Sequence, residues 1–399
     1  MPIVIKVIGD CLDCGGKSCF GNVMIRDNIL TRGCKFCRAV SHVQLPILTK
    51  KIVYLDQSLL SSAFKGKDAR AVEVVSLIDR LSSDQLLVAP YSSIHSDETH
   101  QWSGYGGKKP QELMDFIKRT AQGVKFEAPY SVEDVQIVKG FEAYLNRSQA
   151  SYVRELEDAL SGDVHGWHDY VFITTGQYLG DVKLIGELKT RGVSLFVDAF
   201  DGWATSKTTF EEDIANEMAN VGIILFKEYF LYMEGLATND LNAFLKAPII
   251  SQVIRHLISV LPREMPTDQS FKTIREYFSS DHFYQLPYLW LSARIFATFR
   301  KLIKGGTFPN RAKAIKDLSG FFFDVQHIAT YAPYSNAIFV DNQMAEVLGA
   351  PTVGLFKHFG CEVFSLNRID EFKRWLLACE SEKTESHRRA VARAYGGVP

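Results

Sequence analysis

Cys11-Leu-Asp-Cys14 and Cys34-Lys-Phe-Cys37 are two Cys-x-x-Cys pairs within the first 37 residues. Each pair can sit on a tight knuckle that aims two thiolates at one ion, and four thiolates close the tetrahedral shell of a structural Zn2+. Such a shell leaves no position for water, so the ion expected here is structural and not catalytic. Gly15, Gly16 and Gly33 supply the backbone freedom that knuckles need, Asn22–Arg26 reads as a short strand, and Cys19 stands outside the pairing. So short a segment buries too little apolar surface to fold by itself, and metal binding supplies its folding energy. Its expected role is a clip or docking module ahead of a nucleic-acid contact.

A second chemistry is carried by carboxylates. Asp56 ends the apolar run Lys51-Ile-Val-Tyr-Leu, which reads as a buried strand, and a helical period follows it over Gln57 to Phe64. After Pro90, Ser92 or Ser93 can cap a helix on which Ile94, Glu98 and Trp102 share an inward face, with Asp97 on the polar side. Far along the chain, Asp324, His327, Ile328 and Tyr331 mark one face of a helix ended by Pro333. Ala337 to Asp341 then reads as a strand with its acid at the terminus. Taken singly, a strand-end aspartate is usually a helix cap or turn former. Four carboxylates on one sheet edge repel one another unless divalent cations neutralise them.

These residues need a scaffold, and the surrounding pattern gives one. An amphipathic helix over Arg70 to Leu81 and a strand at Leu86 to Ala89 follow the Asp56 strand, so strand, helix, strand predicts a parallel α/β unit. A strand at Cys361 to Ser365 and a helix from Arg368 to Cys379 complete the core. In such a sheet helices start where strands finish, so Asp56, Asp324 and Asp341 fall on the same edge, with Glu98 farther along its helix. Composition is that of a globular protein, with 46% hydrophobic and 23% charged residues, which excludes a disordered or fibrous chain. The 45 basic and 46 acidic residues nearly cancel, so only a local basic patch could attract a polyanion.

The motifs Val-Tyr-Leu-Asp56-Gln, Ser-x-x-His95-x-x-Glu98, Asp324-x-x-His327 and Phe-Val-Asp341-Asn, in that order, resemble PIN-like domain nucleases, and the cysteine segment resembles a zinc ribbon. The likeness covers residues 50 to 102 and 320 to 380. It implies a PIN-like parallel sheet flanked by helices. It also implies a pocket in which Asp56, Glu98, Asp324 and Asp341 hold Mg2+ or Mn2+ for phosphodiester hydrolysis by water, with RNA ahead of DNA as the partner. His95 and His327 would orient a carboxylate or contact phosphate, although a hydrogen-bonded core histidine is the commoner state for such residues.

The resulting organisation is a zinc ribbon at 1–48, a PIN-like domain at 49–380 interrupted by a mostly helical insertion at 103–319, and a charged tail at 381–399 expected to be disordered. Helical periods occur at Glu133 to Leu160, Asp163 to Tyr178, Thr209 to Glu234 and Pro287 to Lys304. The insertion could serve as a lid, a protein-partner surface or a self-association arm. Arg300, Lys301, Lys304, Arg311, Lys313 and Lys316 form a run without an acid and could contact phosphates or form a solvated face. No targeting or membrane segment is expected, since Lys6 and Asp10 break the opening apolar run, and a cytoplasmic location follows. The competing readings are a zinc-ribbon scaffold that binds nucleic acid or protein without cleaving, and a phosphatase-like hydrolase. The latter lacks its aspartate-x-aspartate motif, because Gln57 and Ser58 follow Asp56.

Overall fold

The computed structural model describes residues 3–170, 200–240, 249–307 and 321–396. The chain divides into one unit of Met1–Lys125, Leu160–Leu179 and Phe364–Pro399 and a second of Phe126–Ala159 and Gly180–Val363.

In the first unit, strands β1 (Lys6–Gly9), β2 (Phe20–Arg26), β3 (Ile29–Cys34) and β4 (Val40–Gln44) form an antiparallel sheet in that order. Asp27 and Asn28 join β2 to β3 with φ of 49° and 59°, the two-residue turn whose twist matches a hairpin. Gly21 is obligatory, because a Cβ there would lie 1.9 Å from the Lys6 carbonyl oxygen. The parallel pair β5 (Lys51–Leu55) and β6 (Leu87–Val88) follows, in register Lys51↔Leu87 and Ile52↔Val88. Helices α1 (Gln57–Lys65) and α2 (Ala69–Ser83) connect the two strands, and α3 (Ser93–Gln101) and α4 (Pro110–Thr120) come after. On α2, Val74, Leu77, Ile78 and Leu81 are buried, as their spacing requires.

The final residues differ from expectation. Glu385–Tyr395 is a helix, not a disordered tail, and it buries Ala390, Val391 and Ala394 against Ile25, Leu30, Leu45 and Leu48. Three small apolar residues in a charged segment make a weak hydropathy signal, yet they suffice because the opposing surface is already formed. The helix end is tied down by Lys6 Nζ on Tyr395 O at 2.6 Å, Asn22 Nδ2 on Ala394 O at 2.9 Å and the Tyr170 hydroxyl on Ala394 O at 2.6 Å. A lysine at the negative end of the helix dipole adds to this hold.

The link at Pro46 to Lys50 is equally well fixed. Trp167 Nε1 donates to Pro46 O at 2.8 Å, and Lys50, 2% exposed, donates from Nζ to Gly166 O at 2.6 Å. Burial pushes the Lys50 amine down to about 7, with Asp163 opposing the change.

The second unit is mainly helical: α5 (Pro129–Leu145), α6 (Phe210–Ala237), α7 (Val253–Val260), α8 (Thr267–Phe278), α9 (Asp281–Tyr284), α10 (Pro287–Lys304), α11 (Phe321–Tyr331), α12 (Asn342–Gly349) and α13 (Leu355–Phe359). Strands β7 (Ala337–Phe339) and β8 (Glu362–Phe364) are neighbours, and at β8 the chain returns to the first unit. Phe141, Leu257, Tyr277, Phe283 and Leu289 lie in one buried cluster that holds α5 and α7 to α10 together. Helix α10 has the expected bounds. Helix α5 stops at Leu145, well short of Leu160, and Arg147 beyond it takes φ 52°, a left-handed conformation that ends helical bonding. Of 163–178, the described part to residue 170 is not helical, and the remainder lies outside the described residues. Among the described residues no helix is long and apolar enough to cross a membrane.

Candidate metal centres

The four paired cysteines converge. Their Sγ atoms all lie within 4.8 Å of one another, with Cys11 to Cys37 at 3.6 Å and Cys14 to Cys34 at 3.8 Å. A tetrahedral zinc with bonds of about 2.3 Å sets sulfur atoms roughly 3.8 Å apart, so the cluster matches a tetrahedral thiolate site for an ion such as zinc. Backbone N–H groups point at the sulfurs: Phe36 N donates to Cys34 at 3.3 Å and Ala39 N to Cys37 at 3.4 Å. Burial opposes ionisation of Cys34, but the N–H groups of Phe36 and Cys37 together with the Cys19 and Cys11 thiols outweigh it and hold its thiol down at about 6. The tight approach needs Gly16, where a Cβ would meet Cys19 Sγ at 2.7 Å.

Cys19 is buried beside the cluster, 3.4 Å from Cys34, and donates its thiol proton to Gly16 O at 3.1 Å. Burial, and then Cys34, push it up to about 11, so it stays a thiol. It is thus a neighbour of the four ligands and not one of them. Among the described residues the four cysteines are the one group of three or more His, Cys, Asp and Glu side chains close enough to share an ion.

The acids are placed by their own units. In the first, Asp56 is half-buried at the end of β5 and caps α1, accepting from Ser58 N–H at 2.7 Å. Helix α3 does not turn the face expected of it. His95 and Thr99 are its buried residues, whereas Ile94, Glu98 and Trp102 are only half-buried. The reason is hydrogen bonding. His95 accepts from Ser92 N–H on Nδ1 at 3.0 Å, so its proton is on Nε2, which donates to Leu55 O at 2.7 Å. Thr99 Oγ1 receives Gln57 Nε2 at 2.9 Å. These two buried polar residues decide the orientation of a short helix whose apolar pattern is weak, and neither bond is readable from hydropathy. In the chain Asp56 directly precedes Gln57 and Glu98 directly precedes Thr99, the two members of this bonded pair.

His95 is therefore a core histidine that holds the end of β5. Burial pushes it from 6.5 down to about 4, against the pull of the Leu55 carbonyl. The unfolded chain takes up this proton as pH falls through 6.5 and the folded chain does not until about 4, so stability is complete above that window and declines within it. The integrated loss is about 3 kcal/mol. Thermal unfolding measured across this range is expected to show a steeper fall for the wild type than for His95→Gln; equal slopes would contradict this assignment.

In the second unit Asp341 is exposed, follows β7 and caps α12 through Met344 N–H at 2.9 Å. Asp324 is half-buried in the first turn of α11. His327 is 5% exposed, and Val325, Ile328, Ala329 and Tyr331 are buried as well, so α11 is enclosed on most sides and lacks a single inward face. The basic run is partly accounted for. Lys304 bonds Asp213 at 2.7 Å, and Arg300 pairs with Asp213 and Glu217 while lying over the Trp203 ring. Both cations are consumed in holding α10 to α6 and form neither a phosphate patch nor a solvated face. Lys301 is exposed, and Arg311, Lys313 and Lys316 lie outside the described residues.

No family model matches this chain, and neither a curated protein nor a solved structure matches it.

Proposed function

We propose that the chain is a metal-dependent phosphodiesterase of the PIN-like kind, acting on RNA or single-stranded DNA, with Zn2+ in the cysteine cluster. The acids that the resemblance implies for Mg2+ or Mn2+ are Asp56, Glu98, Asp324 and Asp341. The observation that carries this reading is the built edge of the first unit. A buried neutral histidine is spent on fixing the Leu55 carbonyl, and the Gln57 to Thr99 bond locks α3 beside the start of α1, with an acid next to each lock. Hard carboxylate oxygens are the donor type that Mg2+ and Mn2+ prefer. The caps made by Asp56 and Asp341 each occupy one carboxylate oxygen with a backbone N–H, which fixes the orientation of both side chains.

A divalent ion, when bound, supplies charge against phosphate oxygens and lowers the pKa of water. The chain's own part is to orient the strand-end acids Asp56 and Asp341 through their helix caps and to leave water as the nucleophile, so that no covalent enzyme intermediate forms. The test is cleavage of labelled single-stranded RNA and DNA by the full chain with Mg2+ or Mn2+. Products that vanish on chelation support the reading. Absence of products from every substrate replaces it with a scaffold that binds without cleaving.

A further inference from the structure

Helices α5, α6 and α7 of the second unit enclose a cavity of about 460 Å3, within the size range of small-molecule sites. It uses none of the four acids proposed for catalysis. Ile137, Val221, Leu225 and Val253 give it apolar walls. Its polar lining combines the acids Glu133 and Asp134 with His256 and the hydroxyl residues Tyr130, Ser131 and Tyr288, and there is no lysine or arginine among its described lining residues. Asp134 receives His256 Nδ1 at 2.8 Å, which fixes that carboxylate at the wall. Gln252 also lines the cavity, and its Oε1 is buried with no hydrogen-bond partner.

Gln252 Oε1 lacks a donor, and Glu133 and Asp134 keep acceptor positions beyond their bonds from Gln326 and His256. Ionised carboxylates only accept, and the orphaned amide oxygen only accepts. A buried acceptor without a donor is costly, and natural proteins tolerate it where a ligand or water supplies the missing bond. An anion would face two carboxyl groups, whereas a cation would favour the ionised form of Glu133 and pair with it. Tyr130 and Tyr288 add aromatic faces, which attract cations. Burial also pushes the Glu133 carboxyl up to about 7, against hydrogen bonds from Gln326 and Thr330.

We infer that this cavity binds an organic cation: an amine carried on an apolar or aromatic stem, its ammonium directed to Glu133, Asp134 and Gln252 and its stem between the aliphatic walls.

The experiment uses the full chain and calorimetric titration with phenethylamine and hexylamine, beside phenethyl alcohol and 3-phenylpropionate as neutral and anionic isosteres. The amines are expected to bind at least about tenfold more tightly than the alcohol, with no binding of the carboxylate. Glu133→Gln and Asp134→Asn, which keep side-chain shape, are expected to reduce amine affinity by about tenfold each while the alcohol is unaffected. Val253→Phe, which fills the cavity, should abolish binding of amine and alcohol alike; should that variant fail to fold, the two isosteric variants decide the matter. Failure of both amines to bind the wild type, equal affinity for amine and alcohol, or unchanged amine affinity in the isosteric variants overturns the assignment. None of these outcomes depends on nucleic-acid cleavage.

Discussion

Removal of metal by a strong chelator is expected to unfold strands β1 to β4 and, with them, to free the C-terminal helix Glu385–Tyr395. The interior around the knuckles consists of Cys11, Cys19 and Cys34 with Phe20, Cys37 and Ala39 packed against them, which is too little apolar surface to order four short strands. Structural zinc binding is worth about 10–16 kcal/mol in zinc-finger peptides at neutral pH, more than the burial of Ile25 and Leu30 on the same strands adds at about 2 kcal/mol each. The helix depends on the sheet twice, through the apolar contacts of Ile25 and Leu30 and through Lys6 and Asn22 on its last carbonyls. Cys34→Ser should act as the chelator does, whereas Cys19→Ser should retain the ion, because Cys19 spends its proton on Gly16 O and stays a thiol. Hydrogen exchange of residues 20–44 and 385–395, measured with and without chelator, reads both effects at once. Retained protection in the metal-free chain would show that the ion is dispensable for this fold.

The second large effect concerns the strand-end acids. Asp56→Asn and Asp341→Asn are expected to leave thermal stability nearly unchanged and to lower Mn2+-dependent cleavage by about 10^3-fold or more. The separation of the two readouts follows from capping. Asparagine caps a helix about as well as aspartate, so the bonds to Ser58 and Met344 N–H persist when the charge is removed. If these aspartates serve only as caps, the variants match the wild type in every respect. Alanine at the same positions would destabilise by about 1 kcal/mol through loss of the cap, and so would confuse the two roles. Measuring cleavage and melting on the same preparations distinguishes them.

Local pattern proved a good guide where one signal dominated. The Cys-x-x-Cys pairs meet as their spacing requires. The β-branched run Lys51–Leu55, the apolar period of α2 and the helix Pro287–Lys304 appear at the positions their residues dictate. The strand and the helices are specified by neighbours within a few residues, through strand alternation or helical phase, and the two cysteine pairs by the demand of one ion for four thiolates. Predictions failed where a side chain's partner is remote in sequence. The face of α3 is set by His95 reaching Leu55 and Gln57 reaching Thr99, so Glu98 ends half-buried on a helix whose hydropathy pointed elsewhere. Arg300 and Lys304 look like a phosphate patch until Asp213 and Glu217, almost a hundred residues earlier, are placed against them.

Taken by itself, the amino-acid order determined the thiolate site, the identity of most strands and helices, and which acids close a strand or open a helix, because these depend on short-range stereochemistry. Tertiary structure alone decided that the charged C-terminal segment is a helix, that Lys50 is buried, that His95 is a neutral bolt under Asp56, and that Glu133 and Asp134 border a cavity. A buried polar group is stable only when a particular distant atom completes its hydrogen bonds, and the identity of that atom is a property of the folded chain.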